Sequence, residues 1–109
     1  MTDEPIEIDV EELDARLKSG EAVQVVDVRE PWELDIARLA GTIDIPMSTL
    51  PKGLCNIDQE KPLAVICHHG GRSLQVARWL RQQGYARAQS VRGGLDVWSQ
   101  AIDPNIPRY

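Results

Sequence analysis

An α/β fold, with a small parallel sheet flanked by helices on both faces, is what this 109-residue sequence predicts. Three observations point to it. Short runs rich in Val and Ile alternate with stretches of helical period, and the connections between them are short. The cleanest run, Leu63-Ala64-Val65-Ile66, is apolar throughout, as a strand covered on both sides must be. At this length one core is expected, and therefore a single domain over residues 1–109.

The elements follow in order. Asp9 stands before Val10 with Glu12 three residues on, a capping arrangement; Leu13 and Leu17 then recur at helical spacing until Gly20 ends the helix. Residues 22–28 are Val-rich and read as a buried strand. Pro31, its φ preset for a first turn, opens a short helix after Arg29-Glu30. Residues 42–45 read as a strand stopped by Pro46, and residues 48–54 as a turn or short helix. Lys61 and Pro62 introduce the strand at 63–66. From Ser73 to Gln83, Val76, Ala77 and Leu80 share one helical face, and Gly84 terminates it. Residues 88–91 form a further strand, and Gly93-Gly94 lead into a last helix carrying Leu95, Val97 and Trp98. The stretch Asp103-Pro104-Asn105-Ile106-Pro107 cannot continue that helix.

Apolar residues make up 42% of the chain and charged ones 27%, the usage of a packed globule. Aromatics are only 5%, so the core must be mainly aliphatic. No apolar run approaches the length of a membrane span. Residues 1–12 hold six acids and no Lys or Arg, the opposite of a secretory signal, so a cytoplasmic location is expected. A net charge of −5 argues against nucleic acid or an anionic membrane as partner. The charge is unevenly spread: residues 1–60 carry fifteen acids against five bases, and residues 61–109 two acids against seven bases. Either the second half binds something anionic or the two halves pair within one fold. Without an export signal, Cys55 and Cys67 are not expected to form a structural disulfide, so at least one is core or chemistry.

Cys67 carries the chemical signal. It follows a buried strand directly, and in open parallel sheets ligands bind outside the carboxyl ends of strands. The loop Cys67-His68-His69-Gly70-Gly71-Arg72 then leads to a helix beginning near Ser73. Two glycines free the backbone to curl its N–H groups toward one centre, the helix points its positive end there, and Arg72 adds charge. All three stabilise a thiolate or a persulfide anion without a metal or an organic cofactor.

The loop Cys67-x4-Arg72-Ser73 resembles the active-site loop of rhodanese-family single-domain sulfurtransferases. Other stretches are similar to the same family: Asp27-Val28-Arg29-Glu30 with Trp32-Glu33, Ala40-Gly41-Thr42-Ile43-Asp44-Ile45-Pro46, Gly84-Tyr85, and Val91-Arg92-Gly93-Gly94-Leu95 with Trp98. Before Gly41 the family usually has Gly-His-Ile-Pro, where this chain has Ala37-Arg38-Leu39-Ala40. The resemblance covers about residues 8–100, the expected domain core, and leaves 101–109 as a short tail. It implies a thiosulfate sulfurtransferase-like enzyme with Cys67 as the catalytic sulfur acceptor. Residues His68, His69, Gly70, Gly71 and Arg72 form its cradle, with Ser73 in support. Asp27 and Arg29 are implied as structural or rim residues.

The implied reaction is a double displacement. The Cys67 thiolate takes the outer sulfur of a small anionic donor such as thiosulfate, and cyanide, a thiol or a protein cysteine then removes it. Arg72 is expected to hold the oxyanion and the loop, and Arg92 to add to a positive rim.

Rival readings stand beside these. The chain is a persulfide relay with a protein acceptor, a noncatalytic binding scaffold, or a cysteine phosphatase; the last resembles folds whose cysteine loop is one residue longer. Cys67 is otherwise an inert core cysteine, or a metal ligand with His68 and His69. The histidines are expected to face solvent. Asp27 is read as an acceptor for turn N–H groups, Trp79 and Trp98 as core or pocket wall, and Cys55 as packing, surface or a redox partner.

Overall fold

The computed structural model describes residues 4–109. Its elements are β1 (Glu7–Ile8), α1 (Val10–Lys18), β2 (Gln24–Asp27), α2 (Pro31–Ile36), β3 (Ile43–Asp44), α3 (Leu50–Gly53), β4 (Leu63–Ile66), α4 (Gly71–Gln82), β5 (Ala88–Val91) and α5 (Gly94–Ala101). The five strands form one sheet in the order β1-β5-β4-β2-β3, every pair parallel. The predicted α/β class with helices on both faces is correct, and β4 and β5 fall where the sequence places them.

Side-chain alternation divides the core in two. Val26 of β2, Leu63 and Val65 of β4 and Ala88 of β5 face Leu50 of α3 and Val76, Ala77 and Leu80 of α4. Val25, Ala64, Ile66 and Val91 face the other way, against Val10 and Leu13 of α1 and Leu95 and Trp98 of α5. The central β4 is buried at all four positions, which is why its sequence shows no polar alternation.

Local signals acted as expected at several ends. Asp9 accepts the Glu12 amide at 2.8 Å and caps α1. Pro31 opens α2. Two predicted strands are shorter than expected, and the one read over 42–45 is only Ile43–Asp44. The strand predicted over 22–28 is only Gln24–Asp27, because pairing with β4 spans just those four residues. Residues Glu7–Ile8, which carry no strand signal in so short a piece, pair with Ser90 and Val91 as an edge strand. The segment 48–54, predicted as a turn or short helix, lies in α3 and the single 3-10 turns that flank it at Met47–Thr49 and Leu54–Asn56. Among the described residues no helix is long and apolar enough to cross a membrane.

Candidate active site

β4 hands the chain to Cys67, which continues the parity of Leu63 and Val65 and so turns toward α4. The side chain is only 1% exposed. Burial alone suits an inert core cysteine, but the polar surroundings do not. The amides of Gly70 and Ser73 donate to Sγ at 3.1 and 3.3 Å, and the thiol bonds Ser73 Oγ at 3.4 Å. Ser73 Oγ is held by the Gly70 carbonyl at 3.2 Å and by Ser90 Oγ at 2.7 Å. A packing cysteine has no need of two N–H donors; here they place positive dipoles on the sulfur where negative charge would reside. The amides of Gly71 and Arg72, at the first turn of α4, have no acceptor among the described residues.

α5 holds the loop from the other side. The amides of Leu95 and Asp96 donate to the carbonyls of Cys67 and His68 at 2.8 and 3.0 Å. Only glycine permits this approach: Gly94 has φ +60°, and a Cβ there would lie 2.3 Å from the Cys67 oxygen. Gly70 meets the same limit, with φ +103° and the Gly93 amide 3.0 Å from where its Cβ would be. The double-glycine stretches, 23 residues apart by number, are therefore two halves of one contact.

Arg72 makes no hydrogen bond to the sulfur among the described residues, and its charge acts on Cys67 through space. Its guanidinium grips Glu33 with bonds of 2.7 and 2.9 Å, a hold on the loop. Glu33, 3% exposed, has its pKa drawn down to about 2, chiefly by Arg72, against the opposing effect of burial and with help from the Tyr109 hydroxyl. The Arg72 pKa is raised, chiefly by Glu33.

Arg29 belongs to the interior and not to a rim, being fully buried. It donates to Asp27 Oδ1 and Oδ2 at 2.8 to 3.1 Å, to the Ala37 carbonyl at 2.8 Å and to the Tyr109 hydroxyl at 2.9 Å. That saturation is what lets a guanidinium sit inside. Asp27 accepts the Arg29 amide at 3.0 Å, the turn-acceptor role read from sequence. The segment 37–40, where the chain departs from the family pattern, thus supplies a carbonyl to this group. Arg92 is exposed and lies 3.7 Å from Glu7, so its charge is partly answered by the β1 edge.

The two histidines differ. His69 is exposed, 3.9 Å from Asp96. His68, against expectation, is sandwiched: its ring stacks on His69 and on Tyr109, each at 3.9 Å between centroids, the latter nearly parallel at 7°. Burial lowers its pKa, and His69 adds to the effect. Tyr109 itself is raised to about 12, chiefly by burial. An apolar groove of about 350 Å³, walled by Met47, Leu50, Pro51, Gln75, Val76 and Trp79, lies along α4 and includes none of the loop. Trp79 is thus a wall residue, while Trp98 is core.

Sequence reasoning missed Glu33 and Tyr109 as site residues. An acid in the first turn after a parallel strand end was a weak signal for Glu33; nothing local marks Tyr109.

The family model described as a rhodanese-like domain matches residues 9–101. A chloroplastic rhodanese-like/PpiC domain-containing protein of Arabidopsis thaliana is 38% identical over 97% of this chain, which spans only 38% of that protein's length. A protein of Allochromatium vinosum named sulfurtransferase is 35% identical, over 86% of this chain and 88% of its own. The crystal structure of a rhodanese-related protein of Thermoplasma volcanium superposes with a TM-score of 0.82 at 33% identity, covering 96% of this chain and all of that one.

Proposed function

The chain belongs to the rhodanese-like family, and from that membership we propose that it transfers sulfane sulfur through a persulfide on Cys67. Sulfurtransferase chemistry in general comes with the family and with its relatives' names. One observation carries the finer reading: two backbone amides, Gly70 and Ser73, aimed at the Cys67 sulfur from the start of α4.

In the proposed cycle the Cys67 thiolate attacks the outer sulfur of thiosulfate. The sulfur–sulfur bond of thiosulfate breaks, sulfite leaves with the bonding pair, and Cys67 becomes a persulfide. Cyanide or a thiolate then attacks the outer sulfur and the thiolate returns. The amides of Gly71 and Arg72, with no acceptor among the described residues, are the donors assigned to that outer sulfur in this cycle. Because Cys67 is buried, the loop must yield for a donor to reach it. Glu33 and Arg72 brace the loop, and Asp27 and Arg29 anchor the brace.

A phosphatase reading is weaker, since the loop arginine that would clasp a phosphoryl group is committed to a buried carboxylate. A relay to a protein acceptor draws support from Trp32 and Ile36, exposed at 60% and 43% on α2. Trp32 lies edge-on to Tyr109, which covers the loop.

Incubation with thiosulfate should add one sulfur to the peptide holding Cys67, removable by cyanide, as read by mass spectrometry. An unmodified Cys67 peptide after exposure to excess thiosulfate at neutral and alkaline pH overturns the proposal.

A further inference from the structure

Residues 102–109 turn back from α5 toward the cysteine loop. The Asp103 amide bonds the Trp98 carbonyl at 3.1 Å, and Ser99 Oγ donates to the Ile106 carbonyl at 2.6 Å, while Ile102 and Ile106 pack against the α1–α5 half of the core. The segment then takes hold of the loop's two histidines by different means. Arg108 binds Asp96, at 2.9 and 3.4 Å, and Asp96 faces His69. Tyr109 lays its ring on His68.

Tyr109 does more than cover a ring. Its hydroxyl accepts from Arg29 at 2.9 Å and donates to Glu33 at 2.7 Å, so it joins the buried Asp27–Arg29 pair to the part-buried Glu33–Arg72 pair. It touches the residue next to Cys67 with one end and the carboxylate that holds Arg72 with the other. The His68 carbonyl, on the same residue, takes the Asp96 amide that fixes the loop from below. His68 is thus pinned through both its ring and its backbone.

Resting on the sulfur-transfer reading, we infer that Tyr109 is a positioning residue for the cysteine loop, setting its geometry through His68 and through Glu33. It touches no reacting atom. What it controls is where the Gly70 and Ser73 amides sit relative to the sulfur, and how readily the loop opens. An effect on positioning falls on kcat, because the amides act on charge at the sulfur as it reacts; a loss of donor affinity would fall on KM instead.

The test compares the full chain with Tyr109→Phe, which keeps the stack and loses the hydroxyl, and Tyr109→Ala, which loses both. Two rates are read: thiosulfate-to-cyanide transfer, and alkylation of Cys67 by iodoacetamide, which needs no sulfur transfer. For Tyr109→Ala, kcat should fall about tenfold or more with KM changed less than about threefold, and Cys67 alkylation should quicken as the loop loosens. Tyr109→Phe should lie between that variant and the parent in both. If Tyr109→Ala unfolds, Tyr109→Phe alone decides, by the same two rates. Parent-like kcat and alkylation in a folded variant overturn the inference. A parent that transfers no sulfur while Tyr109→Ala still speeds alkylation removes the functional reading and leaves the positioning role standing.

Discussion

The two cysteines of this chain sit in loops of opposite character. Cys55 is exposed, in the 3-10 turn after α3, and its thiol donates to the Lys52 carbonyl at 3.8 Å. Cys67 is buried, at the end of the central strand, with two amides and a hydroxyl on its sulfur. Exposure alone would choose Cys55 as the reactive thiol. On the proposed reading the contrast makes donors around the sulfur, placed by a strand end and a helix start, matter more than access, because access can be supplied by motion and a field of oriented dipoles cannot.

The largest test of that contrast removes each sulfur in turn. Cys67→Ser should abolish thiocyanate formation from thiosulfate and cyanide, whereas Cys55→Ser should stay within about twofold of the parent. Equal losses in the two variants, measured by steady-state turnover, would break the comparison.

Next in size is Gly94→Ala. It forces a Cβ against the Cys67 and His68 carbonyls at a positive φ, and should cost at least about 3 kcal/mol in urea unfolding, with activity falling alongside. An alanine variant of parental stability would mean that α5 does not clamp the loop.

A smaller effect follows from pH. The Glu33 carboxylate is held at about 2 in the folded chain, so its contribution to stability is complete above its ordinary value near 4.5 and is lost as pH falls from there toward 2. The lowered pKa of His68 acts in the same sense at higher pH: stability is full above about 6.5 and declines below it, as the unfolded chain takes up the proton first. Thermal melts from pH 8 to 3 should therefore decline in two stages. Replacing Glu33 with Gln should flatten the lower stage, and an unaltered profile counts against the Glu33–Arg72 brace.

Smallest of all is Gly71→Ala. Nothing lies within 4 Å of its would-be Cβ and its φ is ordinary, so stability should stay within about 1 kcal/mol of the parent. Set against Gly94→Ala, it sharpens the point that only some glycines of the double pairs are structural, and calorimetry on the two variants reads it directly.

What sequence determined here is local. A continuous apolar run had to be a central strand, its end had to place Cys67 at the sheet's carboxyl edge, and two glycines before a helix had to turn amides toward one point, since each depends on neighbours within a few residues. The partners of the charges were not legible, because they depend on which strands lie side by side. β4 next to β2 is what brings Arg72 to Glu33, 39 positions away. The return of residues 102–109 brings Tyr109 onto His68. Side-chain pairing across such distances is settled by packing of the whole sheet, and no local pattern encodes it.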